Sequence, residues 1–295
     1  MEENQSEVVG CANLAKKVGN SMYKLITSDM DETLLSDKKV ITPATVAAIK
    51  RASAAGVYFV PNTGRSFNSI QDNLVQLGLS QKSDQYVISY NGAAIVENQQ
   101  NRVLQINALP FEIVEQLFNI GMREHLCVHV YTVDELYIWN MNDKETDYLN
   151  GRVAGWKLMH EGNLKFLQQI PITKIIFNIN AEAQRLSIQD YVEKNVDFAL
   201  NISFSSDRYI EFNDPSADKG QAVLALAAKL GIKPSEIIAV GDNGNDLPMI
   251  KAAGLGVSVA NGRDFVQAEA NYVTQADNNH DPLAEIINKF IFEEK

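Results

Sequence analysis

Short apolar runs alternate with amphipathic segments in the first third of the chain. The runs at 25–27, 57–60 and 86–89 are short and nearly unbroken, which predicts buried strands. Residues 42–56 begin with Thr-Pro and end with Gly, and residues 66–77 begin with Ser, so both segments have helix signals. Strand, helix, strand, helix, strand predicts a parallel sheet with right-handed crossover connections.

The pattern changes after residue 92. Paired short strands, separated by polar turns, then alternate with helices, which is typical of an antiparallel α+β module. Residues 140–170 have the weakest pattern, and we expect a loop around Trp156 and Lys157. Alternating helices and strands return after residue 213 and continue towards the end of the chain.

These changes of pattern predict an α/β fold with two domains and a short extension. A doubly wound, mainly parallel, Rossmann-like sheet is expected to form the core, and an α+β cap is inserted into it. The predicted boundaries are 1–21 for a loosely held N-terminal extension, 22–92 and 214–295 for the discontinuous core, and 93–213 for the cap.

Two carboxylates one residue apart follow the first predicted strand. Residues i and i+2 of an extended chain point to the same side, so Asp29 and Asp31 are expected to converge. Two anions this close repel each other, and a divalent cation such as Mg²⁺ relieves the repulsion. The pattern therefore indicates a metal-assisted site in which one carboxylate attacks and the other moves a proton. A solvated acidic turn is the alternative that these residues alone leave open.

Three further turns carry candidate chemistry at predicted strand ends or helix starts. Thr63 and Gly64 precede a helix, where free N–H groups suit an anion, although a capping Thr explains them as well. Lys219 lies in the first turn of a helix, where it opposes the helix dipole; it is either an electrostatic group or a solvated lysine. Asp242 and Asp246 flank a Gly-containing loop that can hold a hard cation, or that is a simple Asn/Gly turn.

Composition excludes several classes of protein. Hydrophobic residues make up 45% of the 295, which supports a globular core, and the formal net charge of −11 argues against nucleic-acid binding. No apolar run reaches the ~18 residues of a membrane span. The two cysteines are far apart, and residues 1–20 do not resemble a signal peptide, so we expect a cytoplasmic protein.

The four motifs together resemble those of the haloacid dehalogenase superfamily of phosphatases. The chain has Asp-Met-Asp-Glu-Thr from Asp29, Thr-Gly-Arg from Thr63, Lys-Gly from Lys219, and Gly-Asp-Asn-Gly-Asn-Asp ending at Asp246, in the order of that family. The large insert between the second and third motifs resembles the cap of the Cof-type branch. One difference is Glu32, which stands where the family usually has Gly, and this puts the local backbone geometry in question.

The resemblance implies a function and a set of roles. Asp29 would attack phosphorus to form an aspartyl-phosphate, and Asp31 would act as general acid and base. The implied phosphate-binding residues are Thr63, Gly64, Lys219 and Asn245. The implied Mg²⁺ ligands are Asp29, Asp31 through its backbone carbonyl, Asp242 and Asp246. The implied substrate is a small phosphorylated metabolite, either a sugar phosphate or a phosphorylated cofactor.

Other functions remain as alternatives at this point. A phosphoaspartate signalling receiver uses a similar set of residues, but such modules are near the ~100–150-residue mode and lack a large insert. Glu32 raises the alternative of a catalytically silent ligand-binding protein on the same fold. A P-loop nucleotide enzyme is disfavoured because no G-x-x-x-x-G-K-[ST] motif occurs. We expect a monomer or weak homodimer that binds neither nucleic acid nor membranes.

Overall fold

The computed structural model describes residues 22–153 and 155–293, so the predicted extension at 1–21 lies outside the described residues. The strands are β1 (Leu25–Ser28), β2 (Tyr58–Pro61), β3 (Tyr86–Ser89), β4 (Ala94–Glu97), β5 (Arg102–Ile106), β6 (Cys127–Thr132), β7 (Leu136–Trp139), β8 (Lys157–Met159), β9 (Ile172–Asn178), β10 (Asn201–Ser205), β11 (Tyr209–Asn213), β12 (Ile237–Gly241), β13 (Leu255–Ser258) and β14 (Tyr272–Val273). The helices are α1 (Pro43–Ala54), α2 (Gln71–Leu77), α3 (Phe111–Arg123), α4 (Asp143–Leu149), α5 (Glu182–Asn195), α6 (Lys219–Leu230), α7 (Leu247–Ala252), α8 (Asp264–Gln267) and α9 (Pro282–Phe290).

A five-stranded parallel sheet in the order β14-β13-β12-β1-β2 forms the core. Successive side chains of a strand point to opposite faces, and both faces of this sheet are apolar. Ile26 on one face packs in a cluster with Ile49 of α1 and Ile286 of α9. Leu25 on the other face packs in a cluster with Val223 of α6. The predicted doubly wound α/β architecture is therefore confirmed.

A second sheet of six strands lies between β6 and β11 in the sequence, in the order β10-β11-β9-β6-β7-β8. Its pairs are antiparallel except β7 with β8. One face of this sheet is apolar and includes Val128, Ile175 and Phe212. These side chains pack in one cluster with residues of α3 and α5. Because side chains alternate, the intervening positions of β6, β9 and β11 point to the other face. Several of those positions are polar, and they line the cavity described below.

A third sheet has three antiparallel strands in the order β3-β4-β5, so the hairpin of β4 and β5 pairs with β3. We had assigned this hairpin to the cap, but Ile95 of β4 packs in a cluster with Ile88 of β3 and Val223 of α6, which belong to the core. Pairing with β3 explains this, because a continuous antiparallel ladder carries the chain away from the core sheet before it enters the insert. We therefore propose that the cap begins after β5, near Asn107.

The loop expected around Trp156 and Lys157 is wrong at Lys157, and the weakly patterned stretch 140–170 also contains a helix. Asn142 caps α4, since its side-chain oxygen accepts the N–H of Glu145 at 3.0 Å. Lys157, expected in a loop, begins β8, which pairs with β7 as an edge strand. Both elements are short and half-exposed, so their apolar pattern is weak.

Candidate active site

The site begins at the end of the central core strand. β1 lies between β12 and β2, and the backbone N–H of Asp29 donates to the carbonyl of Val240 at 2.9 Å. This holds Asp29 at the carboxyl edge of the parallel sheet, where ligands bind in open α/β folds. Asp29 is buried, with 7% of its surface exposed.

A fully buried lysine reaches the same place from α6. Asp218 caps that helix by accepting the N–H of Gln221 at 2.7 Å, and Lys219 is its first residue. The Nζ of Lys219 donates to Asp29 Oδ1 at 2.5 Å and to Asp246 Oδ1 at 2.6 Å. Burial lowers the pKa of Lys219, but the two carboxylates outweigh burial and raise it above its ordinary value. Lys219 is therefore a fixed positive charge inside the site.

The loop after β12 supplies two more carboxylates. Asp246 is held rigidly, because its Oδ2 accepts the backbone N–H groups of Asp242 and Asn243 at 3.0 Å each. Asp242 accepts a hydrogen bond from Thr33 Oγ1 at 2.6 Å. The loop after β1 and the loop after β12 thus hold each other in place.

Asp29, Asp242 and Asp246 form a buried cluster in which one carboxylate oxygen from each lies within 4.8 Å of the others. Burial and the neighbouring carboxylates raise the pKa of Asp29 to about 7, despite the opposing effect of Lys219. Burial, then Asp29 and Asp246, raise the pKa of Asp242 to about 8. Three ionised carboxylates beside one ammonium would leave two uncompensated negative charges, which a divalent cation can balance.

The carboxylate of Asp31 does not join this cluster. Its oxygens accept from Arg65 Nε at 2.7 Å and Nη2 at 2.5 Å, and from Lys39 Nζ at 3.1 Å. Burial raises the pKa of Asp31, but Arg65 and Lys39 outweigh burial and lower it. The expected convergence with Asp29 is therefore met only in part: both residues line one cavity, but their carboxylates have different partners. The reason is that β1 ends at Ser28, so the extended geometry behind that expectation does not continue.

The predicted phosphate-binding residues lie around the same cavity. Thr63 is buried and lies at the end of β2, where its hydroxyl accepts the N–H of Arg65 at 3.1 Å. Gly64 follows it, and Asn245 lies in the loop of Asp242 and Asp246. Thr63, Gly64 and Asn245 line the cavity. Lys219 does not line it and lies behind Asp29, a lining residue to which its Nζ donates.

Glu32 adopts the backbone conformation that its position requires. Its φ is 59°, in the left-handed region that favours glycine, and its carbonyl accepts from Asn261 Nδ2 at 2.8 Å. The doubt that this residue raised about local geometry is therefore resolved, since the turn forms with Glu in place. His280, in contrast, is an exposed loop residue beside Asp277.

The cavity has a volume of about 440 Å³ and lies between the core loops and the cap sheet. Its size suits a small metabolite. The buried cap residues with polar side-chain atoms that line it are Tyr131, Lys174, Tyr209 and Glu211.

We had named no cap residue as part of the site, although a signal was present. Lys174 and Glu211 are single charged residues inside otherwise largely apolar strands, β9 and β11. A charge in a buried strand requires a partner, and these two residues form an ion pair of 2.7 Å. Asn91 follows β3, and it contacts both Glu211 and Asn245.

Comparison with known proteins agrees with this geometry. Residues 26–287 match the family of haloacid dehalogenase-like hydrolases. YxeH of Bacillus subtilis, named as a candidate phosphatase, is 33% identical over 88% of this chain and 95% of its own length. The 5-amino-6-(5-phospho-D-ribitylamino)uracil phosphatase YcsE of the same organism is 30% identical over 91% of this chain and 96% of its own.

A solved structure extends the likeness to the fold. A haloacid dehalogenase-like hydrolase from Bacteroides thetaiotaomicron superposes with a TM-score of 0.78 at 27% identity, covering 90% of this chain and 99% of that one. Among the residues that the structure describes, no helix is both long and apolar enough to cross a membrane. The ordered motifs, the fold and these matches lead to one conclusion: the chain belongs to the haloacid dehalogenase-like hydrolases and is a hydrolase of their phosphatase type.

Proposed function

We propose that this protein is a Mg²⁺-dependent phosphatase that hydrolyses a small phosphate monoester through an aspartyl-phosphate on Asp29. The observation that carries the proposal is the buried group of three carboxylates and one lysine, of which Asp29 and Asp242 line a metabolite-sized cavity. Phosphoryl transfer needs positioned charges more than covalent machinery, and this group supplies charges of both signs.

The donor set fits a hard divalent cation. Asp29, Asp242 and Asp246 offer carboxylate oxygens, and a divalent cation would balance the negative charge of the ionised cluster. We assign Asp29, Asp242 and the backbone carbonyl of Asp31 as the Mg²⁺-binding groups, with Asp246 in support. When bound, Mg²⁺ would neutralise charge on the phosphoryl oxygens and lower the pKa values of its carboxylates.

In the first step, a carboxylate oxygen of Asp29 forms a bond to phosphorus while the bond from phosphorus to the ester oxygen breaks. Asp31 gives its proton to the departing oxygen, which leaves as an alcohol. Asp31 is paired with Arg65 in this structure, so a substrate that displaces the guanidinium would allow Asp31 to take up the proton that it must donate.

In the second step, water attacks the aspartyl-phosphate and Asp31 accepts a proton from it. The P–O bond to Asp29 breaks, so Asp29 is restored and inorganic phosphate leaves. Thr63, the backbone N–H of Gly64, Lys219 and Asn245 hold the phosphoryl oxygens in both steps. The N–H of Gly64 precedes the helical turn at Phe67–Ile70, and free N–H groups at the start of a helical turn favour an anion.

The substrate class follows from the cavity and the relatives. A cavity of about 440 Å³ holds a leaving group of the size of a sugar or a cofactor ring. The relative YcsE is named for a phosphorylated ribitylaminouracil, which is a small phosphorylated metabolite. We propose a sugar phosphate or a phosphorylated cofactor as substrate. We also propose that the protein is cytoplasmic and is active as a monomer or weak homodimer.

A colorimetric assay with para-nitrophenyl phosphate tests the proposal. The purified full chain should release para-nitrophenolate with Mg²⁺, and a panel of phosphorylated sugars and cofactors should then identify a preferred substrate by phosphate release. No hydrolysis of any ester in saturating Mg²⁺ would favour a silent binding protein instead.

A further inference from the structure

Two charged cap residues are buried where apolar residues would pack. Lys174 of β9 and Glu211 of β11 are 4% and 6% exposed in their side chains, and they pair at 2.7 Å. A buried ion pair adds little stability over an apolar pair of similar shape, because both charges lose their water. The pair therefore calls for an explanation other than stability.

Both members of the pair also reach across to the core. Lys174 Nζ donates to the carbonyl of Gly64 at 2.9 Å, and Asn91 Nδ2 donates to Glu211 Oε2 at 3.0 Å. Gly64 follows β2, and Asn91 follows β3. The cap thus docks on the two core loops that flank the proposed phosphate site.

Asn91 is the point at which these loops meet. Its backbone N–H donates to the carbonyl of Thr63 at 3.1 Å, and its Oδ1 accepts from Asn245 Nδ2 at 3.3 Å. A Cβ on Gly64 would lie 2.9 Å from Asn91 Oδ1, so glycine leaves the space that this amide occupies. One residue therefore contacts the cap, the loop after β2 and the loop after β12.

The chemistry of the contacts fixes which way the Asn91 amide points. A carboxylate oxygen of Glu211 can only accept, so the NH₂ group of Asn91 must face it. The amide oxygen then faces Asn245 and takes one of the two N–H donors of that side chain. The second N–H donor of Asn245 remains for a phosphoryl oxygen.

We propose that Asn91 is a positioning residue: its amide is oriented by Glu211 of the docked cap and in turn orients Asn245 towards the phosphoryl group, while its backbone N–H holds the loop of Thr63. This inference rests on the proposed phosphatase function. It implies that the phosphate site is fully assembled only when the cap is docked, so docking and phosphate binding are coupled.

Exchange of the two functional groups tests the inference. Glu211→Gln removes the constraint on the amide, and Asn91→Asp sets two carboxylates against each other. Each change should lower kcat for para-nitrophenyl phosphate and weaken orthovanadate binding by roughly 10–100-fold. This is the loss typical of residues that orient a binding residue through a hydrogen bond without touching the ligand. The double variant Asn91→Asp/Glu211→Gln restores an amide donor opposite a carboxylate, and both quantities should return to near the native values.

Matched controls separate positioning from burial of charge. Glu97 and Asn98 are buried core residues outside the cavity, so Glu97→Gln and Asn98→Asp should leave vanadate binding unchanged. Thermal unfolding of each variant reports whether the chain is folded, and Glu211→Gln, which preserves shape, is the milder of the two single changes.

The outcomes are distinct from those for the proposed function. Native vanadate affinity in both folded single variants, or a folded double variant no better than its weaker parent, overturns the role of Asn91. A native protein that binds vanadate without turnover contradicts the proposed hydrolysis, and the vanadate titrations still decide the role of Asn91.

Discussion

The core and the cap each bury charged side chains, but the two sets are balanced differently. In the cap, Lys174 and Glu211 pair one to one. In the core, Lys219 pairs with both Asp29 and Asp246, and Asp242 lies in the same cluster. The pKa of Asp29, raised to about 7 by burial and its neighbours, records that imbalance. A buried ion pair whose charges cancel can hold the cap against the core without any ligand. A buried cluster with excess negative charge is instead expected to bind a cation and, with it, the substrate phosphate.

Loss of the proposed nucleophile should have the largest effect. Asp29→Asn cannot form an aspartyl-phosphate, so turnover of para-nitrophenyl phosphate should fall on the order of 10⁴-fold or more. Glu97→Gln, a buried carboxylate outside the cavity, is the matched control and should retain native turnover. Near-native turnover by Asp29→Asn would refute the assignment.

Asp31→Asn should divide substrates by leaving group. An alkyl phosphate needs protonation of its leaving oxygen, so its turnover should fall on the order of 10²–10⁴-fold. Para-nitrophenolate leaves without that proton, so its ester should still phosphorylate Asp29 and then stall, because water lacks its base. Rapid-quench trapping of the aspartyl-phosphate measures this. Equal losses on both substrates would contradict the role of Asp31.

The unbalanced cluster should make the metal-free protein less stable as pH rises. The folded-state pKa values of Asp29, about 7, and Asp242, about 8, lie above their unfolded values. Such groups contribute stability that is present below about pH 4 and is lost as pH rises through 7 to 8. In chelator, the melting temperature should therefore fall between pH 5 and 8.

Mg²⁺ and one substitution sharpen this pH prediction. Mg²⁺ should raise the melting temperature most at pH 8, where both carboxylates are ionised, and Asp242→Asn should flatten the fall seen in chelator. A melting temperature that rises with pH in chelator would show that the cluster is balanced without a metal.

The smallest expected effect concerns Glu32. A non-glycine residue at a φ of 59° costs about 1–2 kcal/mol, and glycine gives back part of this through the entropy of its unfolded state. Glu32→Gly should raise the free energy of unfolding by about 0.5–1 kcal/mol in denaturant titration. Gln116→Gly, at an exposed position within α3, is the control and should lower it by about 1 kcal/mol. Destabilisation by Glu32→Gly would mean that the side chain makes a favourable contact.

Features with local signals could be predicted from the sequence. β1 and α6 follow from an apolar run and from a capped helical segment, and the carboxyl edge of a parallel sheet brings Asp29, Lys219 and Asp242 together. The start of α4 also has a local signal, Asn142 followed three residues later by Glu145.

Features that depend on distant partners could not be predicted. The carboxylate of Asp31 does not join the cluster of Asp29, because β1 ends at Ser28 and Arg65, from the next loop, offers a bidentate partner. The cap contributes Lys174 and Glu211 through strand register, and one residue of slip would turn them to the opposite face. Periodicity identifies strands but not their register, so the cap side of the site required the structure.

Calorimetric titration of the metal-free protein with Mg²⁺ tests most directly whether the core cluster is completed by a cation. The native chain should bind one Mg²⁺, Asp242→Asn should weaken binding at least tenfold, and Glu145→Gln, which changes a buried cap carboxylate, should bind as the native chain does. Native affinity in Asp242→Asn, or the absence of saturable binding in the native chain, would contradict the account.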